Sequence, residues 1–250
     1  MKRLVLEEVD STNSYAAANA AALDDMTFIT ARRQTAGRGQ RGNSWESEPG
    51  RNITVTLFHR PAGFPAAAQF ALSEAVALAL RDLLAVYGID SRVKWPNDIY
   101  VGDRKISGTL IENSLLSGLI EHARIGIGFN VNQTEFRSGA PNPVSMAGVL
   151  GRELDVEEVL ARMSESLGER LRQVASETGR HEIHAEFKRR LWRGDGRVYP
   201  FRRRDDGRLF NASIADVAPT GMLTLRDADT GEFSTFAFKE VEFVLNQDNG

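Results

Sequence analysis

Three glycines interleaved with two arginines, Gly37-Arg38-Gly39-Gln40-Arg41-Gly42, carry the first chemistry legible in the chain. Glycine leaves backbone N–H groups accessible, and two permanent cations stand beside them. That combination suits a phosphate-type anion. A plain surface turn is the bland alternative, but each glycine forfeits roughly 0.5–1 kcal/mol against alanine in an ordered element, though less in a loop. The spacing also fits G-x-G-x-x-G. A dinucleotide fingerprint needs a strand before it, a helix after it and an acid about 20 residues on. A strand is predicted before. After Gly42 the chain reads NSWESEPGRN and enters another strand, and the later stretch HRPAGFP holds no Asp or Glu. Two of the three requirements fail. The P-loop pattern and the kinase partner motifs HRD and DFG are absent.

A second cluster, KWPNDIYVGDRKISGTLIE, runs from Lys94 to Glu112. Pro96 bars a helix there and favours an extended Trp95. Asn97 and Asp98 then fall at a strand end or in a tight turn. Asp98 can hold Mg²⁺ or bond an amine; equally it can form an Asx-turn. Lys105 opens a strand, where it can meet a carboxylate or phosphate or simply be exposed. Regular alternation places Lys105 and Ser107 on one face and Ile106 and Gly108 on the other.

Composition removes several alternatives. The 250 residues contain no cysteine, which excludes disulfides, thiol catalysis and cysteine-ligated zinc. Of four histidines, His181 and His184 lie three apart on a predicted helix without a third ligand, so a solvated helix face is preferred to a metal site. A net charge of −3 gives no reason to expect general nucleic-acid affinity, and the short Arg202–Arg204 run reads as a solvated edge or a contact to a partner or nucleotide. The start, MKRLVLEEVDS, has acids where a signal peptide needs an apolar run. No stretch reaches transmembrane length. A cytoplasmic protein is expected.

The elements that must position these residues follow from pattern. Strands are predicted at Leu4–Val9, Thr27–Arg33, Arg51–His59, Arg92–Trp95, Ile99–Val101, Lys105–Glu112 and Ala123–Asn132. Helices are predicted over SYAAANAAAL, from Pro65 to Gly88, and at about 156–177 and 181–192. Beyond Gly194-Asp195-Gly196 come short alternating strands separated by Gly and Pro turns, the pattern of a small β-barrel. The fold class is therefore α+β, with a mixed-sheet domain at 1–194 and a small β-barrel domain at 195–250.

Five motifs occur in order: DSTNSYA at Asp10, QTAGRGQRGNSWES at Gln34, KWPND at Lys94, K-x-x-G at Lys105 and GIGFNVN at Gly126. Together they resemble the biotin–protein ligases, and the C-terminal strands resemble that family's Src-homology-3-like domain. The resemblance implies the biotin/lipoate-ligase fold and an ATP-dependent reaction giving biotinyl-adenylate. Transfer to a lysine of a biotin carboxyl carrier protein follows. It implies that Ser11, Thr12, Asn13, Gln34, Gly37, Arg38, Gly108 and Gly126 bind biotin. Arg38, Gly39, Gln40, Arg41, Trp45, Asn97, Lys105 and Asn130 would bind ATP, with Trp45 stacked on adenine. Arg38, Lys105 and Asp98 would be catalytic, and Asp98 would also sit near Mg²⁺. A homodimer is plausible by the same analogy. A DNA-binding domain before Ser11 is not expected, since only ten residues precede it.

Two departures stand out. Gln40 occupies a position where many relatives have arginine, which predicts a weaker electrostatic grip on the adenylate. Lys239 lies where glycine is expected. The competing readings are a lipoate or octanoate ligase, and a non-catalytic nucleotide-binding interaction module.

Overall fold

Thr56, Gly126, Gly128 and Gly108 lie side by side across three neighbouring strands, and the fold is best followed outward from them. The computed structural model describes residues 2–37, 39, 45–137 and 142–245. The strands in question are β3 (Ile53–His59), β6 (Arg104–Leu116) and β7 (Leu119–Phe129). They belong to a seven-stranded mixed sheet with β1 (Lys2–Val9), β2 (Thr27–Gln34), β4 (Arg92–Lys94) and β5 (Asp98–Val101), in the order β1-β2-β3-β7-β6-β5-β4. Among the described strands of this sheet β1 and β2 pair in parallel, and the other ladders are antiparallel.

Alternation divides the two faces. Phe28, Val55, Leu57, Ile125, Ile127 and Phe129 belong to the main buried core. Against that core pack α2 (Gln69–Val86) and, behind it, α4 (Val156–Val174) and α5 (Glu177–Arg189). Helix α2 is apolar almost all round because both neighbours cover it. Its Leu72, Val76, Leu80, Leu83 and Leu84 are fully enclosed. The opposite face of the sheet carries α1 (Thr12–Ala18), which buries Ala16 on Ile29 and Phe58. This predicted helix is shorter than its alanine content suggests: it stops at Asn19, whose side chain donates to the Tyr15 carbonyl and competes with the helical ladder.

The long β6–β7 hairpin exceeds both predicted strands, while β7 ends at Phe129 rather than Asn132. A short helix α3 (Met146–Leu150), capped by the Ser145 side chain, has no counterpart in the sequence reading. The C-terminal part is a five-stranded antiparallel sheet of β8 (Tyr199–Arg203), β9 (Leu209–Val217), β10 (Leu223–Asp227), β11 (Phe233–Phe236) and β12 (Val241–Phe243), in the order β11-β10-β9-β8-β12. Three-residue β12 was not anticipated. Among the described residues no helix is long and apolar enough to cross a membrane.

Candidate active site

A cavity of about 860 Å³ opens on the α1 side of the sheet and reaches the C-terminal sheet. Its floor is made of glycines. Gly108 and Gly128 are direct cross-strand partners, and Gly126 faces Leu110 on one side and Thr56 on the other. Here lack of a side chain is a steric necessity. A Cβ on Gly128 would stand 2.2 Å from Trp45 Cε2, and one on Gly126 would stand 2.8 Å from Asn13 Oδ1. The expectation that these glycines admit ligand is thus modified. They admit two protein side chains, Trp45 and Asn13, which then form the cavity wall.

At one end lies a neutral hydrogen-bond network. Thr12 N–H donates to Gln34 Oε1 at 2.8 Å, and its hydroxyl is 3.2 Å from the same oxygen. Buried Thr56 Oγ1 lies 2.8 Å from Thr12 Oγ1 and 2.7 Å from Asn13 Oδ1. Away from the cavity, Asn13 Nδ2 donates out of this network to Glu112 Oε2 at 3.2 Å, a carboxylate that faces Arg124. Ser11 is the α1 N-cap residue, yet its hydroxyl makes no capping bond, so it does not take the capping role open to it in the sequence.

At the other end lie charges. Lys105 Nζ pairs with Asp98 Oδ1 at 2.8 Å and stands 5.8 Å from the Trp45 ring centroid. Asn97 Nδ2 donates to the Thr109 carbonyl, tying the turn after the cis Trp95–Pro96 bond to β6. Trp95 Nε1 donates to the Gly221 carbonyl at 2.9 Å, joining that turn to the C-terminal sheet.

Several expectations need correction. Lys105 and Gly108 share a face: a Cβ on Gly108 would lie 3.0 Å from Lys105 Nζ, whereas Ser107 turns away and donates to the Gly128 carbonyl. The cause is an irregularity in the β5–β6 ladder, where Ser107 opposes Ile99 but Lys105 opposes Tyr100, leaving Ile106 unpaired between them. Such a bulge resets the alternation. Asn130 does not line the cavity. It is buried past the end of β7, and its Nδ2 donates to the Val144 carbonyl. Gly37 also stays off the lining; its carbonyl receives the Trp45 N–H, and a Cβ there would meet the Trp45 carbonyl oxygen at 2.8 Å. Gly39 does line the cavity. Arg38, Gln40 and Arg41 lie outside the described residues.

Pattern reading missed Thr54, Thr56, Lys94 and Phe243, all at or beneath the cavity. A threonine in RNITVTLFH looks like an ordinary strand residue. Only the register that sets Thr56 opposite Gly126 reveals it.

The match to known proteins agrees with this geometry. Residues 5–130 match the model of the biotin/lipoate A/B protein ligase family, which is half of the chain. The chain belongs to that family. Within it, the biotin–[acetyl-CoA-carboxylase] ligase of Paracoccus denitrificans is 39% identical over 164 residues, covering 62% of this chain and 67% of that protein. The bifunctional ligase/repressor BirA of Escherichia coli K12 is 39% identical over 128 residues, but the match spans only 40% of its length and 51% of this chain. The fold resembles that of biotin protein ligase from Aquifex aeolicus, with a TM-score of 0.75, 21% identity, and coverage of 98% of this chain and 99% of that one. Both sheets of the present family member are therefore included in the structural likeness.

Proposed function

We propose that this chain is an ATP-dependent biotin–protein ligase acting on a biotin carboxyl carrier protein. The observation that carries the reading is one cavity with a neutral hydrogen-bonding end and a cationic end. A ureido ring offers a carbonyl acceptor and two N–H donors. Ser11, Thr12 and Gln34 provide hydroxyl groups and an amide to meet them. A dithiolane offers no such groups and would leave those side chains unsatisfied, which costs affinity. This favours biotin over lipoate.

With the bicyclic ring at that end, the acyl chain runs over the glycine floor and the carboxylate reaches Lys105. A carboxylate oxygen attacks the α-phosphorus of ATP, the bond to the β-phosphate oxygen breaks, and pyrophosphate leaves with the electron pair. Two anions must approach each other, and the Lys105 ammonium lowers that repulsion where it is greatest. In the second step a neutral carrier lysine amine attacks the acyl carbon and AMP leaves. Free lysine has a pKa of about 10.4, so the amine must lose a proton. Asp98, held 2.8 Å from Lys105, is the carboxylate assigned to receive it. Trp45 is assigned to the adenine ring.

Mg²⁺ fits this donor set only as a companion of the nucleotide. Among the described residues no three His, Cys, Asp or Glu side chains cluster as a metal cage. Mg²⁺ commonly takes one or two carboxylates plus substrate phosphates; here Asp98 would be the carboxylate, and the ion would neutralise phosphate charge.

The test is pyrophosphate release from ATP and Mg²⁺ without carrier, with biotin, lipoate or no acid. Biotin-dependent release is expected. Release with lipoate alone would move the chain to the lipoate branch. ATP binding without release under any condition would leave a nucleotide-binding module.

A further inference from the structure

Glu112 lies one step beyond the glycine floor. On β6 it follows Leu110 on the same face, and the cross-strand partners of the two on β7 are Arg124 and Gly126. It does not line the cavity. Its Oε2 nevertheless accepts from Asn13 Nδ2 at 3.2 Å and faces Arg124 Nη2 at 4.0 Å. Asn13 does line the cavity, and its other amide atom, Oδ1, stands 2.7 Å from Thr56 Oγ1. A partly exposed carboxylate is thus one amide removed from the hydroxyls at the neutral end.

The direction of the hydroxyl protons follows from matching donors to acceptors. A carboxylate only accepts, so Asn13 must turn Nδ2 toward Glu112 and Oδ1 toward Thr56. The Leu110 carbonyl, 3.5 Å from Nδ2, favours the same orientation more weakly. Asn13 Oδ1 carries no proton, so the bond at 2.7 Å is donated by Thr56. A hydroxyl has one proton to give. With that proton committed, Thr56 can only accept at its 2.8 Å contact with Thr12, and Thr12 is the donor there. Gln34 Oε1 already receives the Thr12 N–H at 2.8 Å, a closer contact than the 3.2 Å to the Thr12 hydroxyl. Thr12 Oγ1 therefore turns its proton inward, to buried Thr56, and keeps its lone pairs for the cavity.

We infer that Glu112 is a positioning residue: from outside the cavity it sets this polarity, so that Thr12 meets the ligand as a hydrogen-bond acceptor and selects an acid bearing a ring N–H. This rests on the biotin reading above. Hydrogen bonds that run in one direction also strengthen one another along the chain from Thr12 through Thr56 to Asn13. Without the carboxylate the Asn13 amide can turn over. Thr56 then accepts from Nδ2 and donates its own proton to Thr12. The Thr12 proton is released from Thr56, and where it turns into the cavity it opposes the ligand N–H. Two donors set against each other leave both unsatisfied, which costs affinity.

The experiment is calorimetric titration of the full chain with biotin and with two cyclic carbamate analogues, each having one ureido N–H replaced by oxygen. Glu112→Leu is expected to weaken biotin roughly tenfold, the scale of a lost charge-assisted hydrogen bond, and to leave ATP affinity unchanged. The carbamate that sets its oxygen opposite Thr12 should lose less than about threefold, because the N–H that Thr12 accepted is already gone. Glu112→Gln should bring biotin affinity back to within about threefold of the unaltered chain, since its Oε1 still accepts from Asn13. Equal losses for biotin and both carbamates in Glu112→Leu overturn the assignment and leave Glu112 a prop for the cavity wall. Unchanged biotin affinity in that variant, an equal loss of ATP, or a Glu112→Gln variant as weak as Glu112→Leu overturns it too. Absence of biotin binding in the unaltered chain would instead remove the biotin reading itself, and this inference with it.

Discussion

The two ends of the cavity are built on opposite plans. Around Thr12, Asn13, Gln34 and Thr56 the groups are neutral and hydrogen-bonded to one another before any ligand arrives, at 2.7–3.2 Å. Around Lys105 and Lys94 there are two ammonium groups and one contacting carboxylate. A preformed neutral network selects a ligand by shape and by donor–acceptor order, since its groups are held in place and a mismatched guest strands them. An under-compensated cationic end draws in any polyanion of suitable size, and discriminates weakly among them. On the proposed reading, specificity for the acid and driving force for the chemistry are thereby separated along one glycine floor.

The largest effect expected from breaking this division is at Lys105. Lys105→Met should lower the single-turnover rate of adenylation roughly 100- to 1,000-fold, the scale seen when a charge-stabilising donor is removed. Biotin affinity should fall less, roughly tenfold, because the carboxylate loses its contact with the ammonium while the neutral end is untouched. A loss confined to biotin binding would mean that the two ends are not separate.

Next come two glycines on one strand, which should report on different substrates. A methyl on Gly128 collides with the Trp45 ring at 2.2 Å; a methyl on Gly126 meets Asn13 Oδ1 at 2.8 Å. Gly128→Ala should raise the Kd for ATP roughly tenfold or more by displacing the indole, with biotin affinity less affected. Gly126→Ala should raise the Kd for biotin by a similar factor through Asn13 and spare ATP. Overpacking of this kind costs about 1–3 kcal/mol, so both variants should fold. Fluorescence titration of each ligand distinguishes the outcomes, and identical profiles for the two variants would contradict the division.

These contrasts also show what the sequence could reveal. Strand alternation and turn chemistry located nearly every element, because burial on one face leaves a period of two in the residues. The face assignment of Lys105 failed because one unpaired residue, Ile106, resets that period, and nothing in RKISG announces a bulge. Asn130 failed for a related reason. GFNVN looks like one continuous strand, yet pairing stops at Phe129, and Asn130 turns to hold the segment leading into α3. Motif-bearing residues such as Ser11, Thr12, Gln34, Asn97 and Asp98 reach the cavity because they sit at element ends, where local signals are strong. Thr56 sits within β3, where a polar residue has no local mark, and Lys94, although it ends β4 in the KWPND motif, carries no local sign of the rings it packs against. Their significance comes only from what register and tertiary packing set opposite them.

Thr56 supplies a smaller test. It is fully buried beneath the neutral network and lines no part of the cavity itself. Thr56→Val keeps the shape and deletes the hydroxyl that links Thr12 to Asn13. A buried hydrogen bond is worth about 1 kcal/mol, so the KM for biotin should rise roughly fivefold, with kcat and ATP affinity nearly constant. Thr56→Ser should restore the unaltered values. A variant that lost ATP affinity equally would show that the network steadies the whole floor rather than one end of it.

The smallest effect is expected where the C-terminal sheet meets the motif turn. Trp95 Nε1 donates to the Gly221 carbonyl, and Gly221 itself, at φ +88°, leaves no room for a side chain against the Phe70 ring. Trp95→Phe deletes the donor and keeps the aromatic contact with Phe238. The stranded carbonyl should cost about 1 kcal/mol of stability in urea denaturation. Biotin affinity should be unchanged, because the neutral end has no contact with this junction. The KM for ATP should rise less than about threefold, since the cationic end alone borders the C-terminal sheet. A larger rise, with biotin affinity still constant, would mean that the junction positions the cationic end as well as supporting the fold. A fall in biotin affinity would instead show that the sheet-to-sheet contact governs both ends, and the separation argued for the cavity would not hold.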